Sequence, residues 1–294
     1  MTSLISVNHL NKSYGKKEVL HDINFDITHH QIVALIGENG AGKSTLINIL
    51  LNLISSNSGN VSILDSEKHL NEHIGVMMQQ NISVRRVKVK EILKLTQGYY
   101  KHPLPYEKLI ELADLKEFED SYMNKLSGGQ KRHLAFALSI AGNPDLLFLD
   151  EPTVGMDSKS RAKFWKIITE FKNQNKTIFV TSHYLEELEN VADRILILQN
   201  KSLSFDGSLA ELRNLEGEQL IEFDSELESK IFQSLHKIID FKNIGNHYQL
   251  TTKNAESLVK ELTPYLTSIS NLKVQQNSLD SLFNNFNKEG EHHE

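Results

Sequence analysis

The sequence predicts an α/β protein, a parallel sheet covered by helices, with a small α+β unit behind it. Short unbroken apolar runs at Ile32-Val33-Ala34-Leu35-Ile36, Leu146-Leu147-Phe148-Leu149 and Thr177-Ile178-Phe179-Val180-Thr181 read as strands buried on both faces. Segments of helical spacing alternate with these runs, the pattern that yields parallel strands joined by helical crossovers. Near residue 214 the pattern changes to shorter mixed segments, which places a domain boundary there and divides the chain into residues 1–213 and 214–294.

Residues 4–10 alternate as a strand, and Asn11-Lys12-Ser13-Tyr14-Gly15 reads as the turn closing a hairpin. The strand Ile32–Ile36 runs into a glycine-rich loop. From Lys43 a helix follows, with Leu46, Ile47, Leu50, Leu51 and Ile54 at helical spacing. Residues 84–121 read as helical and polar, interrupted by Pro103 and Pro105. From Ser127 a helix carries Leu134, Ala137, Leu138 and Ala141 on one face. Strands at 146–149, 177–181 and 194–198 alternate with helices at 158–173 and 184–191. Arg194–Leu198 and Ser202–Phe205 flank a turn at Gln199-Asn200-Lys201, and Ser208 opens a short helix through Arg213. Beyond it, strands at Leu220–Phe223, 247–252 and 270–276 and helices at 226–238 and 254–266 suggest a ferredoxin-like order. The tail Asn287–Glu294, with its pair His292-His293, reads as disordered and solvated.

Composition removes several classes of function. The chain has 294 residues, 39% of them hydrophobic, enough to bury a core. It contains no cysteine, so disulfides and thiolate metal sites are excluded. Its net charge of −6 offers no global attraction for nucleic acid, and no nucleic-acid partner is expected. The N-terminus shows no leader. The longest apolar stretch, Leu46 to Ile54, is broken by Asn48 and Asn52 and is too short to span a bilayer.

Chemistry enters with Gly37-Glu38-Asn39-Gly40-Ala41-Gly42-Lys43-Ser44-Thr45, which fits the phosphate-cradling loop G-x-x-x-x-G-K-[S/T] between a strand and a helix. Gly37, Asn39, Gly40 and Gly42 let backbone N–H groups turn toward a polyphosphate, and the helix start adds its dipole. Lys43 is placed to reach the β- and γ-phosphates, and the Ser44 hydroxyl, with Thr45 beside it, to ligate Mg²⁺. Asp150 and Glu151 follow an apolar strand, so they emerge at the carboxyl end of the sheet, where such folds hold ligands. Asp150 is expected to hold Mg²⁺ through water, and Glu151 to activate the attacking water. Leu126-Ser127-Gly128-Gly129-Gln130 makes a second anion site: Ser127 caps a helix whose first residues, Gly128 and Gly129, leave their N–H groups bare. One nucleotide has no evident use for two such sites in one chain. A capped helix with a glycine hinge is the plainer alternative.

The ordered set resembles the ATPase domain of ABC transporters, whose signature is L-S-G-G-Q, and the resemblance covers residues 4 to about 213. It implies a P-loop NTPase core of the RecA-like kind. An antiparallel β subdomain and a helical signature subdomain at about 80–140 would accompany the core. It also implies ATP as substrate, Mg²⁺ as cofactor, and head-to-tail dimers in which each signature, here Ser127–Gln130, closes over the other's ATP. The partner ATPase would be a second copy or a paralogous chain. His183 in Thr181-Ser182-His183 matches the family's switch histidine, which holds the attacking water against the γ-phosphate. Gln79 in Ile74-Gly75-Val76-Met77-Met78-Gln79-Gln80 matches the glutamine that ligates Mg²⁺ and senses the membrane partner; Gln80 is its alternative. Tyr14 matches the aromatic that stacks on adenine, and Asp157 in Val154-Gly155-Met156-Asp157 matches the loop that crosses the dimer interface.

The wording at Pro152-Thr153-Val154-Gly155-Met156-Asp157 and Ser182-His183-Tyr184-Leu185-Glu186-Glu187 resembles bacterial exporters of drugs, antibiotics or lipids. Their ATPase sits at the cytoplasmic face of the membrane through a separate multi-spanning permease. Arg85-Arg86-Val87-Lys88-Val89-Lys90 could face that permease; a solvated basic face is the plainer reading. A soluble ATPase of this family acting on ribosomes or DNA is the rival. Such proteins carry two motif sets, or a long coiled coil between phosphate loop and signature, and this sequence has neither. A GTPase is disfavoured because Asn175-Lys176-Thr177-Ile178 lacks the aspartate of N-K-x-D.

Overall fold

A computed structural model describes residues 3–63, 70–80, 83–183, 185–216 and 219–276. The tail 287–294 lies outside them, as does Tyr184. The chain divides into two compact units, Met1–Leu209 and Ala210–Glu294.

The first unit opens with β1 (Ile5–Tyr14) and β2 (Lys17–Ile27), then β3 (Ile32–Ile36), α1 (Lys43–Leu50), β4 (Ser58–Ile63), α2 (Leu70–His73) and β5 (Ile74–Met77). It continues with α3 (Val89–Gln97), α4 (Tyr106–Leu112), two 3₁₀ turns, α5 (Gly128–Ile140), β6 (Leu146–Asp150) and α6 (Ser158–Asn173). The last elements are β7 (Thr177–Ser182), α7 (Leu185–Leu188), β8 (Arg194–Gln199), β9 (Ser202–Gly207) and the start of α8 (Leu209–Glu216). An antiparallel sheet runs β2-β1-β4, and a six-stranded sheet runs β5-β6-β7-β3-β8-β9. In the latter β3 is parallel to β7 and β8, β6 is parallel to β5 and β7, and only the edge strand β9 runs antiparallel.

The unbroken apolar runs behave as expected of a doubly covered sheet: every residue of β3, β6 and β7 is buried. One core joins both sheets to α1, through Leu10, Leu20, Phe25, Leu46, Ile47, Phe148 and Phe179. Two expectations are corrected. Asn11–Tyr14 is not a turn: it continues β1 through bulges, with Lys12 opposite Leu20 and Tyr14 opposite Lys17, and the chain reverses at Gly15-Lys16. Helix α1 stops at Leu50, and Leu51 and Ile54 pack half-buried against the core from outside it.

The second unit runs β10 (Gln219–Ser225), α9 (Ser229–Gln233), β11 (Ile238–Ile244), β12 (His247–Thr252), α10 (Ala255–Leu262), a 3₁₀ helix and β13 (Ile269–Gln276). Its antiparallel sheet has the order β11-β12-β10-β13. This is the β-α-β-β-α-β pattern of ferredoxin-like units. Strand β11 lies where the sequence suggests the end of a helix and a connection. Its residues are half-buried or exposed, so they lack the apolar alternation that marks a strand. Phe223, Phe232 and Tyr248 form the centre of this unit's core, with ring centroids 4.8 to 5.3 Å apart.

Candidate nucleotide site and signature surface

The motifs meet because four neighbouring strands deliver them to one edge. The glycine loop follows β3, Asp150 ends β6, His183 follows β7, and Met78-Gln79 follows β5. All four strands are parallel, so their carboxyl ends open on the same side, the place where such sheets bind ligands.

The loop is built for close backbone approach. Gly42 caps α1 with φ 113°, a conformation that residues with a Cβ rarely adopt. A Cβ on Gly42 would also meet Leu20 Cδ2 at 2.9 Å and the Val19 carbonyl at 3.2 Å. The hairpin that carries Tyr14 therefore passes against this loop. Tyr14 itself is half-exposed, with the Lys12 ammonium 5.0 Å from its ring centroid. Lys43 is buried, and its Nζ donates to the carbonyls of Gly37 at 2.6 Å and Glu38 at 3.0 Å. Burial pushes its ammonium below the usual lysine range, against the opposing pull of Glu151 and Asp150.

Ser44 Oγ donates to Asp150 Oδ2 at 3.0 Å. The Gln79 carboxamide donates through Nε2 to the adjoining residue, Glu151, at Oε2, 3.2 Å away. Oxygen donors of this kind suit a hard divalent cation such as Mg²⁺. The Glu151 carboxylate is the hub of the site. Its Oε1 lies 3.7 Å from Lys43 Nζ and 3.4 Å from His183 Nδ1. Glu151 is buried and has φ 46°, a left-handed backbone uncommon outside glycine and of the kind that clusters at functional sites. Gln79 hydrogen-bonds Glu151 in this group, and Gln80 is exposed.

Sequence reasoning missed Arg132. It lies one turn into α5, is 2% exposed, and donates to five backbone carbonyls. Its Nη1 reaches Met78 and Gln79, both at 2.9 Å; Nη2 reaches Asp150 at 3.2 Å and Glu151 at 2.6 Å; Nε reaches Pro152 at 3.1 Å. One guanidinium thus pins the loop after β5 and the loop after β6 to the helix that begins with the signature. Burial lowers its pKa, offset in part by Asp150 and Glu151. Glu187 is a second omission. Its carboxylate accepts from Thr153 Oγ1 at 2.6 Å, Arg161 Nη1 at 2.9 Å and Trp165 Nε1 at 3.2 Å, which ties the segment after His183 to the loop after Glu151. Arg132 lies outside the quoted motifs and Glu187 closes one without a role of its own, because their partners are scattered along the chain.

Ser127, Gly128, Gly129 and Gln130 form a separate surface. Ser127 and Gln130 close a reciprocal capping box: Ser127 N donates to Gln130 Oε1 at 2.8 Å, and Gln130 N to Ser127 Oγ at 3.3 Å. They border a cavity of about 490 Å³ shared with Gly155, Met156 and Asp157. None of its lining residues comes from the glycine loop. The Asp157 carboxylate caps α6 through Ser160 N at 2.9 Å and Ser160 Oγ at 3.0 Å. The sequence-derived residues therefore fall into two groups. Gly37–Thr45, Gln79, Asp150, Glu151 and His183 converge at the sheet edge, and Ser127–Gln130 with Asp157 line the second cavity.

Comparison with known proteins identifies the family to which this fold and sequence belong. The family model described as ABC transporter matches residues 20–154. ATP-binding cassette sub-family A member 10 from Homo sapiens is 34% identical over 271 residues, which is 87% of this chain and 17% of that protein. Nod factor export ATP-binding protein I from Burkholderia orbicola is 31% identical over 205 residues, 66% of this chain and 67% of that protein. The chain therefore spans a small part of the human relative and two thirds of the bacterial one. Among solved structures, the ATP binding subunit of an ABC transporter has a TM-score of 0.66 and 26% identity, covering 73% of this chain and 94% of that one. A dimeric post-hydrolysis state of an ATP-binding cassette bound to ADP and Pi has a TM-score of 0.63 and 25% identity, covering 70% of this chain and 98% of that one. With a phosphate loop, a carboxylate hub and a signature helix on a cassette fold, this chain belongs to the ABC transporter family as an ATP-binding, ATP-hydrolysing cassette.

Proposed function

We propose that the chain powers export of a substrate through a multi-spanning permease that lies outside residues 1–294, working as a head-to-tail dimer at the cytoplasmic face of a membrane. The observation that carries the dimer is the separation of the two phosphate-binding surfaces. The signature cavity has no wall from the chain's own glycine loop, and among the described residues nothing beyond Gly128's own helical turn lies within 4 Å of a Cβ built on it. That surface is available to a nucleotide held by another subunit. The need for a membrane partner follows from the family and from the helices: among the described residues none is long and apolar enough to cross a membrane. Export rests on the name of the bacterial relative and on the wording of the motifs. Residues 214–294 act as an accessory domain to the cassette.

In this reading the glycine loop and Lys43 hold the β- and γ-phosphates. Ser44, Gln79 and Asp150 hold Mg²⁺, which neutralises charge on the phosphates when bound. Tyr14 stacks on adenine. His183 keeps the attacking water in line, and Glu151 takes its proton. The partner's Ser127–Gln130 equivalents cover the γ-phosphate, with Asp157 at the interface. ATP favours the closed dimer, and hydrolysis releases it; that differential affinity is the drive.

The test is capture of the Glu151→Gln protein on detergent-solubilised membranes with Mg-ATP, followed by mass spectrometry. One multi-spanning protein in stoichiometric amount is the expected result. Ribosomal or chromosomal proteins without a membrane protein would overturn the transport reading and leave the ATPase in place.

A further inference from the structure

Thr181 is fully buried in β7, two residues before His183, and its hydroxyl serves two site residues at once. Oγ1 donates to Asp150 Oδ1 at 2.6 Å and accepts from Glu151 N at 3.0 Å. The single hydroxyl proton is thereby used on the carboxylate, and a lone pair on the N–H. Glu151 is the residue with φ 46°, and its carbonyl is held from the opposite side by Arg132 Nη2 at 2.6 Å. A left-handed residue with a side chain persists only where its surroundings hold it. Here the hydroxyl holds the N–H end and the guanidinium the carbonyl end.

We infer that Thr181 is a positioning residue for hydrolysis. Its hydroxyl fixes the backbone from which the Glu151 carboxylate is aimed and orients the Asp150 carboxylate toward Ser44. Strand β7 then sets three groups from one stretch of backbone: Asp150 and Glu151 through the Thr181 hydroxyl, and His183 through the chain itself. With its hydroxyl engaged by Asp150 and Glu151, Thr181 acts through those two residues. The inference rests on the proposed role of Glu151 as base.

Two substitutions separate this role from simple packing, because they rank oppositely under the two. Thr181→Val keeps the shape and removes both hydrogen bonds; Thr181→Ser keeps both and removes a methyl group. On the full chain, Thr181→Val is expected to lower kcat roughly 10- to 100-fold, the usual loss when a residue supporting a ligand or base is removed. Nucleotide affinity should hold, and the Mg²⁺ concentration for half-maximal rate should rise. Thr181→Ser should retain most of the rate. A Thr181→Val rate equal to or above that of Thr181→Ser overturns the inference. Should Thr181→Val not fold, Thr181→Ser against Thr181→Ala decides, since those two differ only in the hydroxyl; equal rates overturn it. Glu151→Gln measured alongside keeps the two readings apart. If Glu151→Gln turns over normally, the base assignment fails. If Glu151→Gln is inactive while Thr181→Val is normal, only the Thr181 inference fails.

Discussion

In the unit Met1–Leu209 the buried polar residues include Lys43, Arg132, Asp150, Glu151 and Thr181; in Ala210–Glu294 those described are Ser225 and Thr252. Both of the latter are plainly satisfied, Ser225 Oγ donating to the Ser268 carbonyl and Thr252 Oγ1 to that of Lys237. The contrast is one of cost. Burying a charge is expensive unless partners surround it. The first unit sustains two carboxylates and two cations at one sheet edge, with a left-handed glutamate among them. The second has no buried carboxylate, lysine or arginine among its described residues, and a pair such as Lys242 with Asp240, 3.5 Å apart, is exposed. Buried charge of the first kind, with the Lys43 and Arg132 cations pushed down by desolvation, marks a site that does chemistry. The second unit is organised for packing.

The sharpest way to break that contrast is to remove charge where it is concentrated. Glu151→Gln keeps size and hydrogen-bonding capacity but cannot take a proton. Turnover is expected to fall roughly a hundred- to ten-thousand-fold, as for loss of a general base. Nucleotide binding should persist, measured by equilibrium titration with Mg-ATP. Unchanged turnover would show that the buried carboxylate is structural and erase the distinction between the units.

The complementary change falls on the second unit. Phe232 is fully buried between Phe223 and Tyr248, and Phe232→Ala is expected to cost about 3–5 kcal/mol. Denaturant unfolding should show the loss in the transition of that unit, while ATP titration of the first unit should be unmoved. A parallel drop in ATP affinity would show that the second unit supports the site.

Arg132 probes the middle of the range. Arg132→Met fills similar space but strips five carbonyls of their donor, with an expected destabilisation of about 3 kcal/mol. The shift should appear as a lower denaturant midpoint at constant slope. A shift below about 1 kcal/mol would mean that water replaces the guanidinium and that the loops after β5 and β6 do not hang from it.

How far the sequence reveals such a molecule depends on where each residue finds its partners. The glycine loop is legible because strand, glycines, Lys43 and Ser44 are contiguous and their spacing is itself the geometry. The strand β6 ending in Asp150-Glu151 is legible because burial on both faces leaves an unbroken apolar run. Arg132 and Glu187 are not: their ligands are carbonyls and side chains delivered by segments far away in sequence. The conformation of Glu151 is hidden for the same reason, since Thr181 and Arg132 impose it from outside. Asn11–Tyr14 misreads as a turn because Asn, Ser and Gly are turn formers, yet pairing with β2 and β4 overrides that preference. Strand β11 escapes because an edge strand with little buried surface carries little pattern.

The smallest expected effect on stability separates the two phosphate surfaces of the first unit itself. At Gly42 a side chain is barred by the chain's own atoms and by its positive φ. At Gly128, the first residue of α5, φ is not positive and, among the described residues, a Cβ would meet nothing within 4 Å beyond its own helical turn. Replacing a helical glycine by alanine is usually favourable by roughly 0.5–1 kcal/mol. Gly128→Ala should therefore leave the melting temperature unchanged or slightly raised and leave ATP binding to the isolated subunit intact. What it should weaken is ATP-driven dimer closure in the Glu151→Gln background, read by size-exclusion chromatography with Mg-ATP. A methyl group would then stand where the facing nucleotide must approach. A loss of both stability and closure would point to a need for glycine within the chain. A loss of closure alone places that need on the other subunit, where the separation of the two surfaces predicts it.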